Sequence, residues 1–260
     1  MSKKITRKTF FKLILTNGVI LTTASPLELL AENNPPQSPA PYFPNMHFKT
    51  NEEMFPISWK SPAINPKAES LSKNKITKTQ KIIKDELDKY PENVLKNLHD
   101  IYALDSLTFY GIPYGGTSST NKIYLTNGSD WYMRHALHHE FSSILLKKYP
   151  DYFDKKSWKQ NNPSDFKYSG DGREFIKEKK HYTPKMNQLY NKGFLNDYAQ
   201  SSIENDCNEF AGKMFCNDGE FWRIIKRFNR LKGKFEIMLQ FYQSLDKKLD
   251  INYFKKISRS

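Results

Sequence analysis

The sequence predicts an α+β chain, mainly helical, with a small β-sheet and a central histidine–glutamate helix. Three observations predict it. Apolar residues recur at helical spacing in several segments, two short β-like segments flank a glycine-containing turn, and half of the six histidines crowd into one helical stretch. At 260 residues there is room for one sizeable domain with appendages, or at most two small ones. An aromatic content of 14% argues against disorder over most of the chain.

The net charge of +13 would suit nucleic acid or an anionic surface, but the basic residues are scattered through every segment. No zinc-finger spacing and no RNA-binding sheet signature is present, so nucleic acid is not an expected partner and a generally basic surface is the simpler reading. Cys207 and Cys216 fit no zinc-ribbon or CxxC pattern. On one helix they would lie too far apart for a disulfide, so they read as two buried thiols, with a disulfide formed past a helix end as the alternative.

Taken in order, residues 1–31 read as an export signal. Lys3, Lys4, Arg7, Lys8 and Lys12 form a basic region, and Leu13 to Ala24 a short, weakly apolar one followed by small residues. That apolar run is too short and too polar to span a bilayer, so no transmembrane segment is expected once the signal is removed. Thr6 to Lys12 resembles a twin-arginine signal in which the second arginine is Lys8. The expected location is therefore outside the cytoplasm: periplasmic, cell-surface or extracellular. No cysteine follows the apolar run, so no lipoprotein anchor is expected there.

Residues 32–71 are proline-rich, which rules out a helix or a central strand and predicts a linker or wrapping arm. Phe43, Phe48, Phe55 and Trp59 are its candidate docking residues. The folded domain, 72–260, opens with a helix carrying Ile76, Ile82, Ile83 and Leu87 and ending at Pro91; a second short helix is expected over Val94 to Ile101. Ser106 to Gly111 and Lys122 to Thr126 read as β segments, with Gly111 to Gly116 a turn or loop between them.

Ser129 or Asp130 can cap the next helix, which runs to Tyr149-Pro150. Leu137, Phe141, Ile144 and Leu145 form its apolar stripe, and His135, His139 and Ser143 a polar stripe roughly opposite. Residues 150–200 read as loop-rich. A second amphipathic helix follows, with Ile203, Cys207, Phe210, Ala211, Met214 and Phe215 on one side and Asn205, Glu209 and Gly212 on the other. A basic, aromatic helical tail runs from Phe221 to Phe254.

Two side chains one turn apart on a helix can reach one ion, and a neighbouring carboxylate can take a proton from water. That is the logic of the HExxH motif. His139-Glu140 supplies its first half, but Ser143 stands where the second histidine belongs, giving HExxS.

Here residues 72–216 resemble, in element order and scattered motifs, the zinc metallopeptidases related to the catalytic domain of anthrax lethal factor. The resemblance implies a zincin-like domain, a zinc cofactor, and peptide or protein as substrate or ligand. In that family a glutamate seven residues after a transition-state-stabilising tyrosine is the third ligand. Tyr198 matches the tyrosine, but Asn205 stands seven residues on; Glu209, one turn later, matches a carboxylate that the family also carries. The resemblance thus implies Glu140 and Tyr198 as catalytic residues and His139 as a metal ligand, with two expected ligands replaced.

A displaced site is a further expectation. His135 and His139 are also four residues apart, so with antiparallel helices His135, His139 and Glu209 would form a His₂Glu set. Glu140 would be badly placed as its base. The competing expectations are a catalytically degenerate protein, a non-catalytic peptide- or glycan-binding module of the cell envelope, and a structural protein. Singly, His138 reads as bonded to a backbone carbonyl or exposed, Glu140 as a carboxylate paired with a base such as Arg134, and Asp206 and Glu209 as solvated.

Overall fold

In the computed structural model, residues 41–170, 172, 186–216 and 218–258 are described. The expected export signal, the first part of the proline-rich stretch and His181 lie outside them. The architecture is α+β and mainly helical, with one small mixed sheet. No helix among the described residues is long and apolar enough to cross a membrane.

The sheet is organised by β3 (Asp100–Phe109). Along one edge it pairs in parallel with β1 (Asn45–His47) and then antiparallel with β2 (Lys67–Ser70). Along the other it pairs in parallel with β6 (Lys122–Thr126) and antiparallel with the two-residue β4 (Ile112–Pro113). Beyond β6, β5 (Gly116–Ser118) is the outer strand on that side.

β3 overturns the expected helix over Val94 to Ile101. The helix there, α2 (Glu92–Leu95), is one turn long, and the chain becomes extended by Asp100. Ile101, Tyr102, Ala103 and Leu104 are all buried because both faces of the strand are covered. A continuous apolar run of this kind does not distinguish strand from helix by periodicity. Side chains alternate as a pleated strand requires: Ile101 and Ala103 enter the main core with Ile123 and Leu125, while Tyr102 and Leu104 face a second cluster with Tyr124.

The second cluster is closed by residues 54–64. Phe55 and Trp59 pack on Phe109 and Tyr124 at centroid distances of 5.3–5.6 Å. Tyr124 Oη donates to the carbonyl of Met54. Upstream, Phe43 and Phe48 pack against the main core. Residues 41–71 therefore supply two strands and an aromatic cover to the sheet.

The main core lies on the other face. It contains α1 (Lys73–Leu87), α3 (Asp130–Lys148) and α6 (Ile203–Phe215), with α4 (Lys155–Gln160) and α5 (Met186–Lys192) bordering it. The expected C-terminal tail is three helices: α7 (Gly219–Arg227), α8 (Asn229–Leu245) and α9 (Ile251–Ile257). Asp218 and Asp250 cap α7 and α9 by accepting backbone N–H groups, and Phe228 breaks the chain between α7 and α8. Phe221, Phe235, Met238, Phe241, Tyr242 and Phe254 are buried in the same core as α3 and α6.

Candidate metal centre

α3 and α6 carry the site. Ser129 caps α3 by accepting the Tyr132 N–H, and Ser202 caps α6 by accepting that of Asn205. Each helix buries its apolar stripe in the core, and the polar sides face one another across a cleft of about 340 Å³. His135, Ala136, His139, Glu140, Ser143 and Lys147 of α3 line that cleft opposite Glu204, Asn205 and Glu209 of α6. Strand β5 and Tyr198 bound it.

Three side chains converge there. His135 Nε2 lies 3.3 Å from Glu209 Oε2, and His139 Nδ1 lies 3.4 Å from Glu209 Oε1. One donor atom from each residue falls within 4.8 Å of the other two, and all three residues are buried. Burial alone would raise the Glu209 carboxyl, but the two imidazoles beside it, His135 foremost, hold it well below the usual carboxylate range. Burial likewise depresses His139, and the bond to Glu209, with the nearby charge of Glu140, more than offsets this, so its affinity for a proton is raised.

These residues fit a divalent metal. Two imidazoles and a carboxylate form a donor set that suits zinc. Among the described residues, buried His135 Nε2 makes no aligned hydrogen bond, although Glu209 Oε2 lies 3.3 Å away. The space around it is also reserved. A Cβ at Gly212 would collide with the His135 ring, so α6 needs glycine where it faces that ring. On the outer side Trp131 stacks on His135 at 5.0 Å.

The other expected ligand positions are occupied by internal bonds. Ser143 Oγ accepts from Asn208 Nδ2 at 2.6 Å, and Asn205 Nδ2 donates to Ser201 Oγ at 2.8 Å. Glu140 lines the cleft beside His139, and burial raises its carboxyl above the usual range. It does not pair with Arg134, which binds Glu86 instead. Tyr198 also lines the cleft, its ring centroid 6.1 Å from that of His139, and burial raises its phenol.

Several residues fall elsewhere than expected. His138 is neither exposed nor bonded to a carbonyl. It is buried between Tyr90 Oη, 2.8 Å from Nδ1, and Glu86, 2.7 Å from Nε2. It lies off the cleft stripe, bonded to Glu86 of α1 and stacked on Phe215 at the end of α6 at 4.9 Å. Asp206 and Glu209 are not solvated. Asp206 is fully buried against Lys234 Nζ at 2.6 Å, Tyr168 Oη and Trp158 Nε1. Both cysteines are buried and unpaired.

Asn196 was not legible as a site residue. Its Nδ2 donates to Glu209 Oε2 at 2.7 Å, and its Oδ1 accepts the Ala199 N–H. The only sequence signal is an asparagine three residues before a turn, which marks a local cap and says nothing of a partner on α6.

Residues 105–257 match the family described as "putative zinc-binding metallo-peptidase". Among solved structures the chain is similar to one described as a putative zinc-binding metallo-peptidase from Bacteroides caccae. The two share 15% identity over 71% of this chain and 74% of the other, with a TM-score of 0.49. No curated protein matches the sequence. With its family match spanning more than half the chain, and α3 and α6 inside that span, this protein belongs to the zinc-binding metallo-peptidase family so described.

Proposed function

We propose that this chain binds zinc through His135, His139 and Glu209, takes a peptide or protein segment in the adjoining cleft, and hydrolyses it weakly or not at all. The observation carrying this reading is the buried convergence of three donor atoms within 4.8 Å. Bound there, zinc would supply Lewis acidity to a carbonyl or a water. The Tyr198 phenol, at the cleft wall, would donate to the oxygen on which negative charge develops, and Glu140 would accept a proton. The outer edge of β5, beside the cleft, would offer backbone groups to an extended peptide.

The weakness lies at one position. In HExxH the glutamate directly follows the first histidine. Counted from His135, that place is held by Ala136, which lines the cleft. Glu140 has nearly the same azimuth but sits one turn, about 6 Å, farther along α3. General-base assistance is worth about 10²- to 10⁴-fold, and most of it depends on reach.

Metal analysis of the purified protein tests the reading. Stoichiometric zinc, lost in His139→Ala and in Glu209→Ala, is expected; no zinc at saturating concentration, with no change in thermal stability, would overturn it. Robust peptide hydrolysis by the zinc-loaded protein, abolished in Glu140→Gln, would favour the fully active version. The bonds closing Ser143 and Asn205 favour a second reading, a metal-free peptide- or glycan-binding module on the same fold.

The basic and apolar pattern of residues 1–31 supports export through a twin-arginine-like signal, with 32–71 as an arm and 72–260 as the metallopeptidase-type domain. N-terminal sequencing of protein recovered outside the cytoplasm is expected to begin near Ala24 or Ala31.

A further inference from the structure

Glu140 is displaced by a turn from the place of a base, and its surroundings suit another partner. The side chain is half-buried in the cleft wall, within reach of a bound ligand. It lies against β5, where a Cβ at Gly116 would stand 3.3 Å from its Oε1. Among the described residues, Lys147 is the one lysine or arginine lining the cleft, and Glu204 engages it at 2.8 Å. A carboxylate shielded from water without a cation is costly, and a ligand that brings one relieves the cost.

Two further features say which cation. Lys147 projects from α3 and Glu204 from α6, so their ion pair spans the cleft about two turns beyond Glu140 and closes that end. A peptide lying over the metal centre would meet this bridge, which makes the neighbourhood of Glu140 a place for a chain terminus. The spacing along α3 agrees. Glu140 lies about 6 Å beyond Ala136, the position from which a base would serve the attacking water. In a peptide poised for attack, water and carbonyl carbon are about 3 Å apart. The α-nitrogen of the same residue stands about 2.5 Å beyond that carbon. A first residue with its carbonyl at the metal centre therefore brings its amine to Glu140.

β5 supplies a second acceptor. Gly115 accepts the Thr126 N–H and Ser119 donates to the Lys122 carbonyl. By the alternation of an antiparallel ladder, the backbone groups of Gly116 and Ser118 turn away from β6 to the outer edge. An ammonium carries three N–H donors, and the Gly116 carbonyl beside Glu140 can accept one of them.

We propose that the cleft takes the free N-terminus of a peptide, with Glu140 binding its α-ammonium. The inference rests on the zinc reading above, since it sets the first residue's carbonyl at His135, His139 and Glu209. Glu140 is then a specificity-determining residue, and a peptide with a blocked N-terminus is a poor ligand.

Binding of randomised pentapeptide amides to the whole protein tests this. Two pools lack lysine and arginine, one with free amines and one N-acetylated; a third is acetylated and carries one lysine. Peptide retained on ultrafiltration is read by mass spectrometry. Zinc content of the same samples decides the metal reading separately, and the amine contrast is read whatever that content. The free-amine pool is expected to bind at least about tenfold more tightly than its acetylated counterpart, which corresponds to about 1.4 kcal/mol. Glu140→Gln, close in shape, is expected to abolish that contrast while zinc content and unfolding temperature stay unchanged. Equal binding of the free and acetylated pools, or no binding of either, would overturn the proposal. Binding of the lysine pool alone would overturn the N-terminal assignment in favour of a basic side chain. A contrast that survives Glu140→Gln would place the amine elsewhere in the cleft and overturn the role of Glu140.

Discussion

Asn196 donates its amide to Glu209 at 2.7 Å and, through its own oxygen, accepts the Ala199 N–H in the turn that carries Tyr198. One side chain thus ties the orientation of a candidate ligand to the position of a candidate catalytic tyrosine. Partners of this kind, bonded to the ligand rather than to the metal, are worth about 10- to 100-fold in affinity. Asn196→Ala is therefore expected to weaken zinc binding by about that factor, read by competition with a chromophoric chelator. An unchanged affinity would show that Glu209 holds its pose without help.

Ala136 stands where a general base would follow the first of the two convergent histidines. Ala136→Glu is expected to leave zinc stoichiometry intact and raise peptide hydrolysis by about 10²-fold or more over the parent, the usual contribution of a positioned base. A variant that holds zinc and remains inert would place the loss of activity elsewhere in the cleft.

Glu86 predicts an acid limb of stability. Burial would raise its carboxyl, but the His138 and Lys89 contacts overcome this and hold it at about 2, against an ordinary 4.5. A carboxyl depressed in the folded state contributes stability that is fully present above its unfolded value. That contribution disappears as pH falls from about 4.5 toward 2. Urea midpoints should fall across that window, and the fall should flatten in Glu86→Gln, which is less stable at neutral pH.

Lys234 and Asp206 form a fully buried ion pair beside the metal helix. Lys234 also donates to the Gly193 carbonyl and lies 4.1 Å from the Phe194 ring centroid. Burial raises the Asp206 carboxyl and lowers the Lys234 ammonium, each opposed by the charge of the other. Removing one partner strands the other, so Lys234→Met is expected to cost about 3–5 kcal/mol in chemical denaturation. The double variant Asp206→Leu/Lys234→Met should recover part of that loss. Recovery is incomplete because Trp158 Nε1 and Tyr168 Oη lose their shared acceptor.

Much of the fold was written locally. The spacing of Leu137, Phe141, Ile144 and Leu145 defines which side of α3 enters the core, and Ser129 and Ser202 start their helices by short-range capping. The same pattern placed His135 and His139 on one stripe and Glu209 on the matching side of α6. β3 was misjudged because Ile101 to Leu104 are apolar without interruption, and only the covering of both sheet faces makes them a strand.

By itself, then, the sequence determined the α+β class, the two site helices and the residues able to face a cleft between them, since each follows from periodicity and capping within one segment. Only the tertiary structure decided that His135, His139 and Glu209 meet, that Ser143 and Asn205 are tied to Asn208 and Ser201, and that Asn196 and Gly212 serve the site. Those relations depend on the register and closeness of α3 against α6. That register is set by side-chain packing between segments some seventy residues apart, which no local spacing encodes.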